Sequence, residues 1–161
     1  MQRRIEPYPQ CERTPRCAPD RTDKRVHRWI SDPKEGLPEW IRLDWARPAD
    51  IQWLQLIFDT GLHRHLTLSH HDDFTKTMIW GRPQPETVKD YTIEKYDGRE
   101  WKTLIQVKDN YQRLRRHTLP VKTTVSSLRI LVTKTHGLDH ARIVEVRVRE
   151  KPWDRQPGRT S

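Results

Sequence analysis

The sequence predicts an all-β protein built as an antiparallel β-sandwich. Apolar residues recur at every second position through most of the chain, an unambiguous hairpin signal lies in its middle, and no stretch carries a sustained helical stripe. Ile41, Leu43 and Trp45 alternate with Arg42 and Asp44. Leu54, Leu56 and Phe58 alternate with Gln55 and Ile57. Tyr91 and Ile93 alternate with Thr92 and Glu94, and Leu128, Ile130 and Val132 with Arg129 and Leu131. Val144, Val146 and Val148 alternate with Glu145 and Arg147. This period belongs to strands with one face on a core and one in water. Asp97-Gly98 separates Tyr91–Tyr96 from Trp101–Val107 and marks a hairpin, because glycine tolerates the positive φ such turns need. Arg47-Pro48-Ala49-Asp50 reads as a second turn. Several short strands with regular turns point to a sandwich or a barrel.

Composition bounds the rest. The chain has 161 residues, enough for one domain with tails. Apolar and charged residues each make up 33%, so the core is lean, and seven Trp compensate through their large buried area. Half the prolines fall in the two ends, and residues 1–23 have almost no Val, Ile or Leu. The expected organisation is a disordered basic tail over 1–23, a folded domain over 24–150 and a flexible tail over 151–161. Of the net charge of +9, residues 1–28 carry +4 and residues 151–161 carry +2, leaving +3 for the middle, whereas a folded nucleic-acid reader gathers its charge on one face. Nucleic acid is therefore a disfavoured partner. No apolar run is long enough to span a membrane, and the basic start has no apolar stretch behind it as a secretory signal would. The expected location is the cytoplasm by default, or outside it should the chain be part of a larger exported protein. Cys11 and Cys17 lie in the first tail and read as unpaired thiols, with one loop disulfide as the alternative. Their spacing, with no second pair, excludes a zinc ribbon.

The order of landmarks resembles the discoidin, or coagulation-factor type C, family. Trp29-Ile30-Ser31-Asp32 followed by Pro38-Glu39-Trp40-Ile41-Arg42-Leu43-Asp44 looks like that family's Trp-x-Ser and Trp-Ile-x-Leu-Asp elements. Lys89-Asp90-Tyr91-Thr92-Ile93 with Asp97-Gly98 and Trp101 resembles its most recognisable hairpin. Leu128-Arg129-Ile130 and Ala141-Arg142-Ile143 with Glu145-Val146 resemble its last two strands. The resemblance implies a galactose-binding-domain-like jelly roll and a non-catalytic ligand-binding module. A narrower likeness involves Phe58-Asp59-Thr60 with Leu62, Lys89-Asp90-Tyr91, and Asn110-Tyr111-Gln112-Arg113-Leu114-Arg115-Arg116-His117. These look like the discoidin-like domain at the C-terminus of certain bacterial FAD-dependent oxidoreductases. That implies a structural accessory role beside a flavin domain. This chain cannot itself hold the dinucleotide, having six Gly and no Gly-x-Gly. Discoidin domains often hold a structural calcium in a front loop. The corresponding Asp20–Arg25 lacks the glycine and mixes cations with its acids, so calcium is disfavoured and no cofactor is expected.

Chemistry-bearing residues are few. Gly61 to Thr87 is long, polar and broken by Pro83 and Pro85, and a loop of that length in a compact domain is usually functional. Within it His70-His71-Asp72-Asp73 reads as a solvated loop. His63 and His65 share a strand face and with an added carboxylate could hold zinc, but cross-strand packing or exposure is the expectation, so no metal is expected. No nucleophile motif is present, and no catalytic residue is assigned. Sugars are gripped by an aromatic face together with planar polar groups. The candidates are Trp80, Tyr111, Arg113, Arg115, His63 and His65. For Trp80 and Tyr111 the alternative is packing on the sandwich. For Arg113, Arg115 and Arg116 it is a solvated strand face. Trp29, Trp40, Trp45, Trp53 and Trp101 fall at strand positions and are expected to pack. Three functions stay open: carbohydrate or protein-surface recognition, a structural accessory to a flavin oxidoreductase, and binding of anionic surfaces or nucleic acid through the basic tails.

Overall fold

A computed structural model describes residues 28–61, 79 and 81–151. These form six antiparallel strands: β1 (Trp29–Ile30), β2 (Glu39–Phe58), β3 (Val88–Tyr96), β4 (Trp101–Val107), β5 (Leu114–Thr135) and β6 (Arg142–Arg149). Their order is β1-β6-β2-β5-β3-β4. The six strands make two layers because β2 and β5 are long and each serves both. Glu39–Asp44 pairs with Ser127–Val132 beside β3 and β4. Trp53–Ile57 pairs with Leu114–Thr118 on one side and with β6 on the other. The Phe58 and Tyr91 rings meet across the interior with centroids 5.1 Å apart.

The corner between layers is a register change. Asp44 stands opposite Ser127, and Ala49 opposite Val125, so residues 45–48 face the single residue Ser126. The imbalance then reverses between the Ile51–Thr123 and Trp53–Thr118 pairs. The Arg47–Asp50 segment is therefore a bulged corner inside one strand and not a chain-reversing turn. Pro48 suits such a bulge, since it has no N–H to offer a ladder. Asp50 fastens the corner by accepting from Thr124 Oγ1 at 2.6 Å and pairing with Lys122 at 3.2 Å.

Alternate residues line the interior as expected. Leu43, Leu54, Leu56, Phe58, Tyr91, Ile93, Leu128, Ile130 and Val132 are all buried. Two details differ from simple alternation. Ile57 pairs with Glu145 but Phe58 pairs with Ile143, so Val144 is the extra residue of a bulge. Ile143 takes the inward position that alternation assigns to Val144, while Val148 is buried and Val146 packs against the core. Gln55, on the face expected to be wet, is also buried. It lies on a central strand, and Arg116 reaches over it to donate to Oε1 at 3.0 Å.

The motif residues have structural work. Ser31 is fully buried and clamps the start of β6: its Oγ accepts from Ala141 N at 2.9 Å, and its N donates to Ala141 O at 3.0 Å. The hairpin closes as expected on Tyr96 opposite Trp101, with Gly98 at φ 100°. Asp97 Oδ1 accepts from the backbone of Arg99 and Glu100 at 2.9 and 3.0 Å. The five strand tryptophans are all partly covered. Trp101 carries the Arg129 guanidinium 4.5 Å above its ring, and Arg129 pairs with Glu94.

Candidate functional site

The pairing places β3 start, β4 end, β5 start, β6 start and β2 end at one pole of the sandwich. Loops from separate parts of the chain meet there, as sandwich loops do. The loop between β4 and β5 is the most tightly built. Asp109 adopts φ 52°, and its N donates to Asp90 Oδ1 at 2.9 Å. The chain then turns around Asn110, which is 2% exposed. Asn110 N donates to Lys89 O at 2.8 Å, and its amide nitrogen donates to Val88 O at 2.7 Å and Gln112 O at 3.1 Å. Its amide oxygen accepts from Gln112 N at 3.2 Å, an Asx turn. His136 Nε2 donates to the Asn110 carbonyl at 2.7 Å. A buried amide with every polar atom engaged is a rigid pedestal.

Tyr111 stands on that pedestal with its side chain in water, 67% exposed. It is not a packing plug. Beside it, Gly81, Arg82 and Pro83 complete a shallow open cleft of about 310 Å³. That wall is fixed in turn. Gln84 Nε2 donates to Ile79 O at 3.0 Å, Thr87 N donates to Gln84 O at 3.0 Å, and His136 N donates to Thr87 O at 3.1 Å. Pro85 lies so close to Gly137 that a Cβ there would meet Pro85 Cβ at 2.9 Å.

The expected site residues divide. Tyr111 and Arg113 lie together on the exposed β4–β5 loop. Arg115 is half-buried on β5 and donates to Gln112 Oε1 at 3.1 Å, bracing the same loop. Arg116 points to the other face of β5, as strand alternation requires. His63, His65, Trp80 and the His70–Asp73 cluster lie outside the described residues, as do Cys11, Cys17 and the Asp20–Arg25 segment. Among the described residues no group of three His, Cys, Asp or Glu could hold a metal ion. Sequence reasoning missed Arg82 and Asn110 as site builders. Asn110 carried a signal, since Asp-Asn marks a turn. Arg82 carried none.

Two further polar groups support the pole. Asp59 is fully buried where β2 ends. It accepts from Arg28 at 3.1 Å and from Gly61 N at 2.9 Å, and Arg142 lies 3.7 Å away. Arg142 Nε donates to His140 Nε2 at 3.0 Å, leaving His140 Nδ1 to donate to Asp139 at 2.7 Å. Closer to the site, the Tyr91 hydroxyl and His117 Nε2 meet at 2.8 Å across the two layers. Burial pushes Tyr91 up to about 12, opposed by neighbouring Arg115. Burial pulls His117 down to about 4, and the Arg115 charge adds to this.

The geometry is that of an antiparallel β-sandwich with an aromatic-bearing cleft at its loop pole. Neither a family model nor a curated protein matches the chain. Solved structures do. The family 32 carbohydrate-binding module from C. perfringens NanJ, in complex with galactose, superposes with a TM-score of 0.56 at 12% identity, covering 78% of this chain and 79% of that one. The family 32 module from Streptococcus pneumoniae EndoD superposes with a TM-score of 0.57 at 17% identity, covering 79% of each. The family 32 module of AlyQ, in complex with 4,5-unsaturated mannuronic acid, gives a TM-score of 0.52 at 12% identity over 77% of this chain and 78% of that one. These likenesses establish the shared fold.

Proposed function

We propose that this domain is a non-catalytic carbohydrate-recognition module that binds its ligand at the Tyr111 cleft. The observation that carries the reading is an exposed phenol ring held on a fully hydrogen-bonded pedestal, facing the Gly81–Pro83 wall. An exposed aromatic normally costs solubility and gains nothing. Held rigidly at a loop pole, it offers a flat face to the C–H side of a sugar ring at little entropic cost. Arg113 and Arg115 supply planar donors for hydroxyl groups, and Trp80, His63 and His65 in the adjoining segment remain proposed contributors. Similar folds solved with galactose and with an unsaturated mannuronic acid support the same class of ligand. Binding of oligosaccharides by calorimetry tests it. Tyr111→Ala should weaken binding about tenfold or more, equivalent to about 1.4 kcal/mol, without unfolding the domain. Unchanged affinity in that variant would refute the site.

A second reading, an accessory domain to a flavin oxidoreductase, draws on Lys89-Asp90-Tyr91 and Asn110-Tyr111. Three of these residues have roles within this domain: Asp90 caps Asp109, Tyr91 bonds His117, and Asn110 builds the pedestal. Those roles account for the pattern without a flavin partner, so the recognition reading is preferred.

A further inference from the structure

Charge at the cleft points to the class of sugar. Arg82 lines it, Arg113 follows Tyr111 by two residues, and Lys108 precedes Tyr111 by three; all three are exposed. None of these three side chains has an ion pair or hydrogen bond among the described residues. The acids of the same loops and of β3 are all engaged. Asp109 pairs with Lys89 at 3.2 Å. Asp90 accepts from Asp109 N and lies 3.6 Å from Lys134. Glu86 is buried and has a partner. Asp59 is buried against Arg28. The aromatic platform thus has uncommitted positive charge on its own loop and on the facing wall, and no uncommitted acid among the described residues of those loops or of β3.

A neutral sugar needs no such surplus. Its hydroxyls both donate and accept, so a site for it profits from acceptors as well as donors, whereas guanidinium groups only donate. An arginine on the cleft wall and another two residues along the chain from the ring suit a group that only accepts, and the planar guanidinium fork matches a carboxylate in bidentate fashion. Resting on the recognition reading above, we propose that the cleft takes an acidic sugar, with Tyr111 covering the ring and Arg82 and Arg113 binding a carboxylate or sulfate on it. The affinity then includes an electrostatic part that salt screens, because both arginines are exposed.

The test compares ligands on the full chain by calorimetry: oligogalacturonate, the same oligosaccharide with its carboxyls reduced to alcohols, a sulfated galactan oligosaccharide, and poly-glutamate. The expected result is a preference of tenfold or more for oligogalacturonate over its reduced form. Arg82→Gln should shrink that preference to about threefold or less. Raising sodium chloride from 0.05 to 0.5 M should weaken the acidic ligand alone. Equal binding of the sulfated oligosaccharide supports recognition of negative charge, and weaker binding supports a carboxylate-specific fork; both uphold the acidic class. Poly-glutamate binding as tightly as the sugars would overturn it, since the ring would then contribute nothing. Tyr111-dependent binding of the reduced sugar as tight as the acidic one would overturn the acidic class and leave carbohydrate recognition standing. No binding of any sugar would overturn both.

Discussion

Single side chains at the loop pole act by holding backbone, and their removal should be felt there. Asn110 satisfies two carbonyls and one N–H through its amide, so Asn110→Ala leaves Val88 O without its buried partner. We expect a loss of about 2–3 kcal/mol, from a net 0.5–1.5 kcal/mol per bond plus an unmet buried acceptor. Denaturant unfolding measures this, and sugar binding should fall with it. Ser31→Ala should cost about 1–2 kcal/mol by orphaning Ala141 N–H. His117 gives a pH signature. Its folded value near 4 lies below the ordinary 6.5, so between those values the unfolded chain binds more protons than the folded one. Stability should therefore fall as pH drops from about 6.5 towards 4, by an amount limited by the partial exposure of the ring. His117→Gln, which keeps a hydrogen-bonding group for Tyr91, should flatten that slope in pH-dependent thermal melts. A slope that is unchanged in the variant would place its origin in other groups.

Elements carry the fold, and most were legible in the chain because burial has a period. Leu54, Leu56 and Phe58, and Leu128, Ile130 and Val132, point inward as alternation requires. The Trp-x-Ser and Asp-Gly landmarks fell where their chemistry is used, at the Ser31 clamp and the Gly98 turn. Register changes were not legible. Alternation assumes one residue opposite one residue, so it could not find the Val144 bulge or the corner at residues 45–48. The wall of the cleft was equally hidden, because it depends on the contact between Pro85 and Gly137, which are far apart in sequence. That contact makes a prediction of its own. Gly137→Ala drives a methyl into Pro85, and overpacking of this kind costs about 1–3 kcal/mol. The domain should remain folded while the Gly81–Pro83 wall shifts, so sugar affinity should fall more than the melting temperature alone explains. A variant with wild-type melting and wild-type affinity would show that the wall is soft.

Across the whole molecule, the two long strands explain why a cleft sits where it does. β2 and β5 each traverse both layers, so one pole is occupied by their bent corner and the Asp97–Glu100 hairpin, and the other is left to loops. The corner pole is tied by Lys122 to Asp50 and Glu150 at 3.2 and 3.0 Å. The loop pole holds the pedestal, the Gly81–Pro83 wall and the uncommitted cations. Of the expected ligand residues, Tyr111 was legible as an aromatic in a turn, but its exposure was not, since a turn aromatic packs inward as readily as outward. Backbone amide chemical shifts of the isotopically labelled full chain, titrated with oligogalacturonate and with its carboxyl-reduced form, locate the binding surface without any mutation. Recognition at this pole requires saturable shifts at Gly81, Arg82 and Asn110 to Arg113, with Asp97 to Trp101 unmoved. Shifts confined to the Asp97–Trp101 hairpin, or none with either sugar, would contradict it.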